Sequence, residues 1–232
     1  MLYNTKKSIK IAEIIFDIVY ISVVLFLAIF ILSKTDSFGT PYWMFGLITL
    51  ILIIGDCFHL IPRIIMMWYE NAKLKIALGM GKMITSVTMT LFYFGLWCIG
   101  ILTFKLNTTI WTVLTLVVFI FAFVRILLCL LPQNKWVTDE ASTNWILLRN
   151  APFIIVGIIV TIQYAICGIA ENASVIANQG PAFLWIVIVV SFVFYIPVLF
   201  LAKKHPKIGM LMIPKSCAYV VMIIMGLSFP CS

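Results

Sequence analysis

Asp56, His59 and Arg63 stand at i, i+3 and i+7 inside an otherwise apolar run, which puts them on one stripe of a helix. Thr49 extends that stripe by another seven residues. A carboxylate one turn from an imidazole, with a guanidinium beyond it, has the parts of an acid–base site. Asp56 can orient or polarise His59, or act as the base itself, while a neighbouring cation holds an anionic substrate. Asp56 and His59 are therefore the candidate catalytic residues. Pro62 lacks an N–H, so it frees the Phe58 carbonyl and kinks the helix beside these groups. Glu13, Asp17 and Tyr20 repeat the helical spacing in an earlier run. Lys82, Ser86 and Tyr93, with Thr85 beside them, share one face of a later run. Arg125, Gln163, Ser191 with Tyr195, and Lys215 with Tyr219 fall in four further runs. Among these, Glu13, Asp17, Arg63, Ser86, Tyr93, Arg125, Tyr195, Lys215 and Tyr219 are the candidate substrate-binding residues.

Other chemistries find less support. Zinc would need His59, Asp56 and carboxylates of the first run, an unusual set with one histidine, so neither a metal nor another cofactor is expected. The second histidine, His205, sits in a Lys-Lys-His-Pro-Lys loop. Nucleophilic catalysis would require Ser86, Ser216 or a cysteine beside the base, and no Gly-x-Ser-x-Gly turn is present. Cys57, Cys98, Cys129, Cys167, Cys217 and Cys231 show no paired spacing, and five of them fall in apolar runs. They read as small buried hydrophobes.

The elements that must position these residues follow from composition. Of 232 residues, 64 % are hydrophobic and 10 % charged, with a mean hydropathy of +1.18. Soluble domains are about 45–50 % apolar and about 25 % charged, so lipid must be the solvent. Runs long enough to cross a bilayer lie at about 11–33, 42–68, 83–104, 109–131, 151–170, 182–202 and 209–229. The expected fold is an all-α bundle of seven transmembrane helices over residues 1–232, with no soluble domain, since the longest connection is 132–150. The first run is too long for a signal-peptide core and contains Glu13 and Asp17, so it is expected to remain as the first helix.

Lys and Arg distribute unequally over the connections. One set of ends carries Lys6, Lys7, Lys10, Lys73, Lys75, Lys82, Lys135, Arg149, Lys203, Lys204 and Lys207, and the other carries Lys34 and Lys105. This bias places the N-terminus in the cytoplasm and the C-terminus outside. It also accounts for the net charge of +8. Basic residues scattered over short loops argue against nucleic-acid binding. Asn107-Thr108-Thr109 and Asn172-Ala173-Ser174 match glycosylation acceptors on the outer side.

Depth adds the functional clue. Glu13, Asp17, Ser86 and Lys215 come early in rising helices, and Asp56, His59, Arg63, Arg125 and Tyr195 come late in descending ones. All nine fall in the inner half, which suggests a polar, hydrated cavity open to the cytoplasm beneath an apolar plug. The bland alternative is interhelical ion pairing, because Glu13, Asp17 and Asp56 balance Arg63, Arg125 and Lys215.

Gly55-Asp56-Cys57-Phe58, followed after a short loop by a helix with Gly81 and Tyr93, resembles the YhhN (lysoplasmalogenase) family of multi-pass membrane proteins over about 40 residues. The resemblance implies hydrolysis of a lysophospholipid vinyl ether by paired aspartates. The chain departs from that pattern in having seven helices rather than eight and in lacking the family's later Ser-Asp. The expected function is acid–base hydrolysis or modification of a lipid or other amphiphile at a cytoplasm-facing intramembrane site, in the plasma membrane. The expected partners are membrane lipids and an anionic or amphiphilic small molecule. The alternatives are transport of a small anion or protons, or a non-catalytic binding or regulatory protein whose charges are structural.

Overall fold

The computed structural model describes residues 7–34, 38–69, 71–138, 141–169, 180–201 and 205–229. Lys6, Lys203, Lys204, the Asn172-Ala173-Ser174 triplet and Cys231 lie outside the described residues. Seven α-helices follow in order: α1 (Lys7–Ser33), α2 (Pro41–Met66), α3 (Ala72–Thr103), α4 (Thr109–Leu130), α5 (Thr143–Ile169), α6 (Leu184–Leu201) and α7 (Met212–Gly226). With the short 3-10 turns that lead into α6 and α7, all seven are long and apolar enough to cross a membrane. Among the described residues there is no strand. Helices are the expected answer in lipid, where each backbone N–H and C=O must be satisfied within its own segment.

Two helices begin well before the apolar runs. α3 starts at Ala72 rather than 83, and α5 starts at Thr143 rather than 151. Hydropathy registers where a helix enters hydrocarbon, whereas capping registers where it begins. Asn71 Oδ1 accepts from the Lys73 N–H at 2.9 Å, and Ser142 Oγ accepts from the Trp145 N–H at 3.2 Å. Both polar first turns thus have a donor satisfied before any lipid is met. The stretch Gly79–Lys82, which lies between the expected runs 42–68 and 83–104, is helical. The connection expected over 132–150 contracts to 131–142. α2 carries Thr40 as its cap, with the Trp43 N–H donating to Thr40 Oγ1 at 3.2 Å, and Pro41 in the first turn.

Successive helices are neighbours, and α7 returns to lie beside α1 and α2, so the bundle closes into a ring. α3 is the most enclosed helix and touches α5 as well as α2 and α4. Large apolar side chains on the outer surface, such as Phe26 and Ile110 at 65 % and 70 % exposure, face where acyl chains would be. α2 and α3 make the most extensive contact, and small residues make it possible. Gly81, Thr88 and Gly95 recur every seven residues along α3 and meet Phe58–His59, Gly55 and Ile48 of α2. A Cβ at Gly81 would collide with the Phe58 carbonyl, and one at Gly55 with the Thr88 side chain. Thr85 Oγ1 donates to the Gly55 carbonyl at 2.9 Å across the same seam.

This packing predicts that Gly81→Val, which sets a side chain against backbone, costs about 3 kcal/mol. Gly209→Ala, where an added Cβ has nothing within 4 Å, changes stability by less than about 0.5 kcal/mol. Thermal unfolding in detergent of the two variants beside the parent checks the contrast.

Candidate functional site

The site lies in the half of the bundle where α1, α3, α5 and α7 begin and α2, α4 and α6 end, here called the near half. Its geometry starts from the α2–α3 seam. With Gly55 held against Thr88, the next residue, Asp56, is turned about 100° around α2, towards α1 and α7. There its Oδ2 accepts from the Tyr20 hydroxyl of α1 at 2.7 Å. Asp56 remains half-buried, and Oδ1 has no hydrogen-bond partner among the described residues. Two turns further along the stripe, Arg63 donates to Glu13 at 3.1 Å and approaches Asp17 at 3.7 Å. These are the only ion pairs among the described residues, so one guanidinium serves both carboxylates of α1.

Lys215 enters from the first turn of α7 and is 4 % exposed. Its ammonium lies over the Tyr195 ring of α6 at 4.7 Å and the Tyr219 ring at 5.4 Å. Among the described residues its one hydrogen-bond acceptor is Met89 Sδ of α3, at 3.7 Å. Asp56 and Arg125 act on it electrostatically, although among the described residues no carboxylate comes within 4 Å. An ammonium has three donors, so a single thioether leaves most of its hydrogen-bonding capacity unused.

The contacts continue around the ring. The Tyr195 hydroxyl donates to Asn150 Oδ1 of α5 at 2.8 Å, and Arg125 of α4 donates to the same oxygen at 2.8 Å. The same Arg125 nitrogen also donates to the Arg149 carbonyl. Asn150 Nδ2 returns to the Ile146 carbonyl at 2.7 Å. Arg125 is 2 % exposed, its guanidinium stacks 4.6 Å over Phe153, and its Nε is buried without a partner. Tyr20, Asp56, Lys215, Tyr195, Asn150 and Arg125 thus form a polar seam through six helices, with Met89 bringing in α3.

Other expected site residues have different surroundings. His59 is half-buried, and its backbone packs against Gly81, while Tyr20 donates a hydrogen bond to Asp56. Ser86 donates to the Lys82 carbonyl of its own helix at 2.9 Å. Thr49 likewise donates to Phe45 at 2.7 Å. Tyr93 is 1 % exposed and sits edge-on to Phe92, Phe153 and Phe192, which makes it part of the aromatic core. The Tyr219 hydroxyl is buried beside the hydroxyls of Tyr93 and Ser191. Gln163, in the opposite half, donates to the Trp97 carbonyl at 3.2 Å and joins α5 to α3.

The near-half groups pack into a polar seam. Recesses of about 560 Å³ and about 300 Å³ lie elsewhere, the first between α3 and the 131–138 connection and the second between α5 and α6.

Asn150 was not among the expected site residues, because a reading by hydropathy puts 132–150 in a loop. Its signal was the Ser142 cap, which extends α5 upstream and turns Asn150 inward. Asn134 was missed for the same reason. It is 1 % exposed, and its Nδ2 reaches the Leu128, Cys129 and Leu131 carbonyls at the end of α4. Its Oδ1 accepts from Trp145 Nε1 and Arg149.

No known protein family, curated protein or solved structure matches the chain. Function must be argued from the seam itself.

Asn150 joins three helices through hydrogen bonds, two of them to or from strongly polar partners. Asn150→Ala is expected to cost about 2–3 kcal/mol, and Tyr195→Phe, which removes one neutral bond, about 1 kcal/mol. Thermal melts of both variants in one detergent test the ranking.

Proposed function

We propose that the chain is an integral membrane enzyme that hydrolyses or modifies a lipid or other amphiphile by acid–base chemistry at Asp56. The observation that carries this reading is the separation of Asp56 and Lys215. A carboxylate and an ammonium face each other electrostatically in a buried seam, yet stay outside ion-pair distance. Structural pairing alone would close that gap, since unsolvated charges gain most at contact. In this reading a polar atom of a substrate or a water comes between the base and the cation.

In this reading Tyr20 fixes one carboxylate oxygen and leaves the other to take a proton. Lys215 steadies negative charge on the reacting group. The Arg63 cluster ties α1 to α2 and so holds Tyr20 against Asp56. His59 is a second proton carrier one turn away, towards the near face. Vinyl-ether hydrolysis, which the YhhN-like Gly55-Asp56 pattern suggests, is one reaction of this class. Lipid chemistry is favoured over transport because the ionisable groups gather in one half of the bundle, while Gln163 of the other half is engaged in helix packing. The lysine and arginine bias supports a cytoplasmic near face, and the proposed location is the plasma membrane.

Turnover of a total lipid extract, followed by mass spectrometry, tests the reaction. Asp56→Asn should lower turnover by about a hundredfold or more with helicity unchanged. If that variant loses stability while the parent turns over nothing in the extract, the acid–base reading is wrong and the seam is structural. Uncoupled proton or anion flux in sealed vesicles would indicate the transport alternative instead. For orientation, an epitope inserted at Gly39 should be reached on intact cells, and one at Lys135 only after permeabilisation.

A further inference from the structure

The buried charges do not neutralise one another in place. Arg63 absorbs both Glu13 and Asp17, which leaves that corner with one negative charge in excess. Asp56 is then the remaining carboxylate of the seam, and it faces Lys215. Arg125 has none. It is 2 % exposed, stacks on Phe153, and uses one nitrogen for two neutral acceptors while its Nε is buried and unpartnered. Lys215, 4 % exposed, has a thioether as its hydrogen-bond acceptor. Tyr195 links the two cations: its ring underlies the Lys215 ammonium, and its hydroxyl shares Asn150 Oδ1 with Arg125. An isolated buried charge is costly, and among the described residues this lobe has a positive charge with no carboxylate against it, which calls for an anionic ligand.

We infer that Lys215 and Arg125, with Tyr195 between them, bind a single monoanionic oxyanion, a phosphodiester or a carboxylate, carried as the headgroup of an amphiphile. Asp56, Lys215 and Arg125 sum to one positive charge, which matches a monoanion; Arg149, which also acts on Tyr195, is bonded to Asn134 and stacked on Trp136. The guanidinium fork suits the oxygens of either group, and the ammonium adds a point charge. Depth fits a headgroup. Lys215 lies seven residues inside the span that begins at Ile208 and Arg125 five residues before the end of α4, about 8–12 Å from the ends of their spans. An anion at that level can still carry its apolar chain into the bilayer. The inference rests on the seam being a substrate site, but it does not require Asp56 to be a base.

Binding to the full chain in a neutral detergent, read by native mass spectrometry and thermal shift, tests it with four probes. These are phosphatidylglycerol, palmitate, phosphatidylcholine and inorganic phosphate. Phosphatidylglycerol or palmitate should bind at least tenfold more tightly than phosphatidylcholine. Arg125→Gln and Lys215→Met should each lose at least tenfold of that preference, whereas Asp56→Asn should keep it, which separates binding from the proposed chemistry. Inorganic phosphate displacing the amphiphile at millimolar concentration would support the anion site and assign its ligand to the water phase. Equal affinity for phosphatidylglycerol, palmitate and phosphatidylcholine would overturn the inference, as would an undiminished preference in both cation variants. Should Arg125→Gln not fold, Arg125→Lys keeps the charge without the fork. It should weaken phosphatidylglycerol and palmitate more than phosphatidylcholine, and a uniform loss across the three would count against the site.

Discussion

The close approach of α2 and α3 sets the position of everything polar in this bundle. Gly55 and Gly81 let the two backbones come together where side chains would hold them apart, and Thr85 ties the seam with a hydrogen bond to Gly55. Once Gly55 must face Thr88, the rotation of α2 about its own axis is decided. Asp56 then turns to Tyr20 and Lys215, and Arg63 turns to the carboxylates of α1. In a membrane no hydrophobic force presses helices together, so packing of small residues has to supply both contact and register.

Hydrocarbon imposes the second constraint. Each charge brought into it needs a partner, and the chain meets the demand unevenly. Glu13, Asp17 and Arg63 form a closed cluster near one corner. Across the bundle, Arg125 and Lys215 rely on aromatic faces, an amide oxygen, a carbonyl and a thioether. Aromatic rings attract cations but do not cancel their charge. The seam is thus polarised, with more negative charge at the α1–α2 edge and more positive charge between α4 and α7. A substrate headgroup and a proton-accepting carboxylate fit that gradient in opposite senses.

Much of this was legible in the residues alone. The helical spacing of Asp56 and Arg63, and of Glu13, Asp17 and Tyr20, placed each set on one stripe, and those stripes meet at the α1–α2 interface. The common depth of Lys215, Arg125 and Tyr195 in different helices followed from counting along alternating directions. Ser86 and Tyr93 show where such counting stops. Both lie at a suitable depth, yet one hydroxyl turns back onto its own helix and the other residue is walled in by rings. A stripe gives an angle about an axis, and the neighbour at that angle is chosen by packing. Asn150 escaped notice because hydropathy cannot see the capped, polar first turns of α5.

By itself, then, the sequence determined the solvent, the seven helices and the half of the bundle that holds the ionisable groups, because apolar run length and charge depth are local properties of the chain. Partner choice was decided only by the tertiary structure. Six charges that cancel in number have several possible pairings, and the sequence ranks none of them. The glycine seam between α2 and α3 selected one, giving Arg63 two carboxylates, Asp56 a tyrosine, and Arg125, among the described residues, an amide oxygen in place of a carboxylate. The reason is geometric: an ion pair forms over a few ångströms, and only the rotation and contact of whole helices set distances that short.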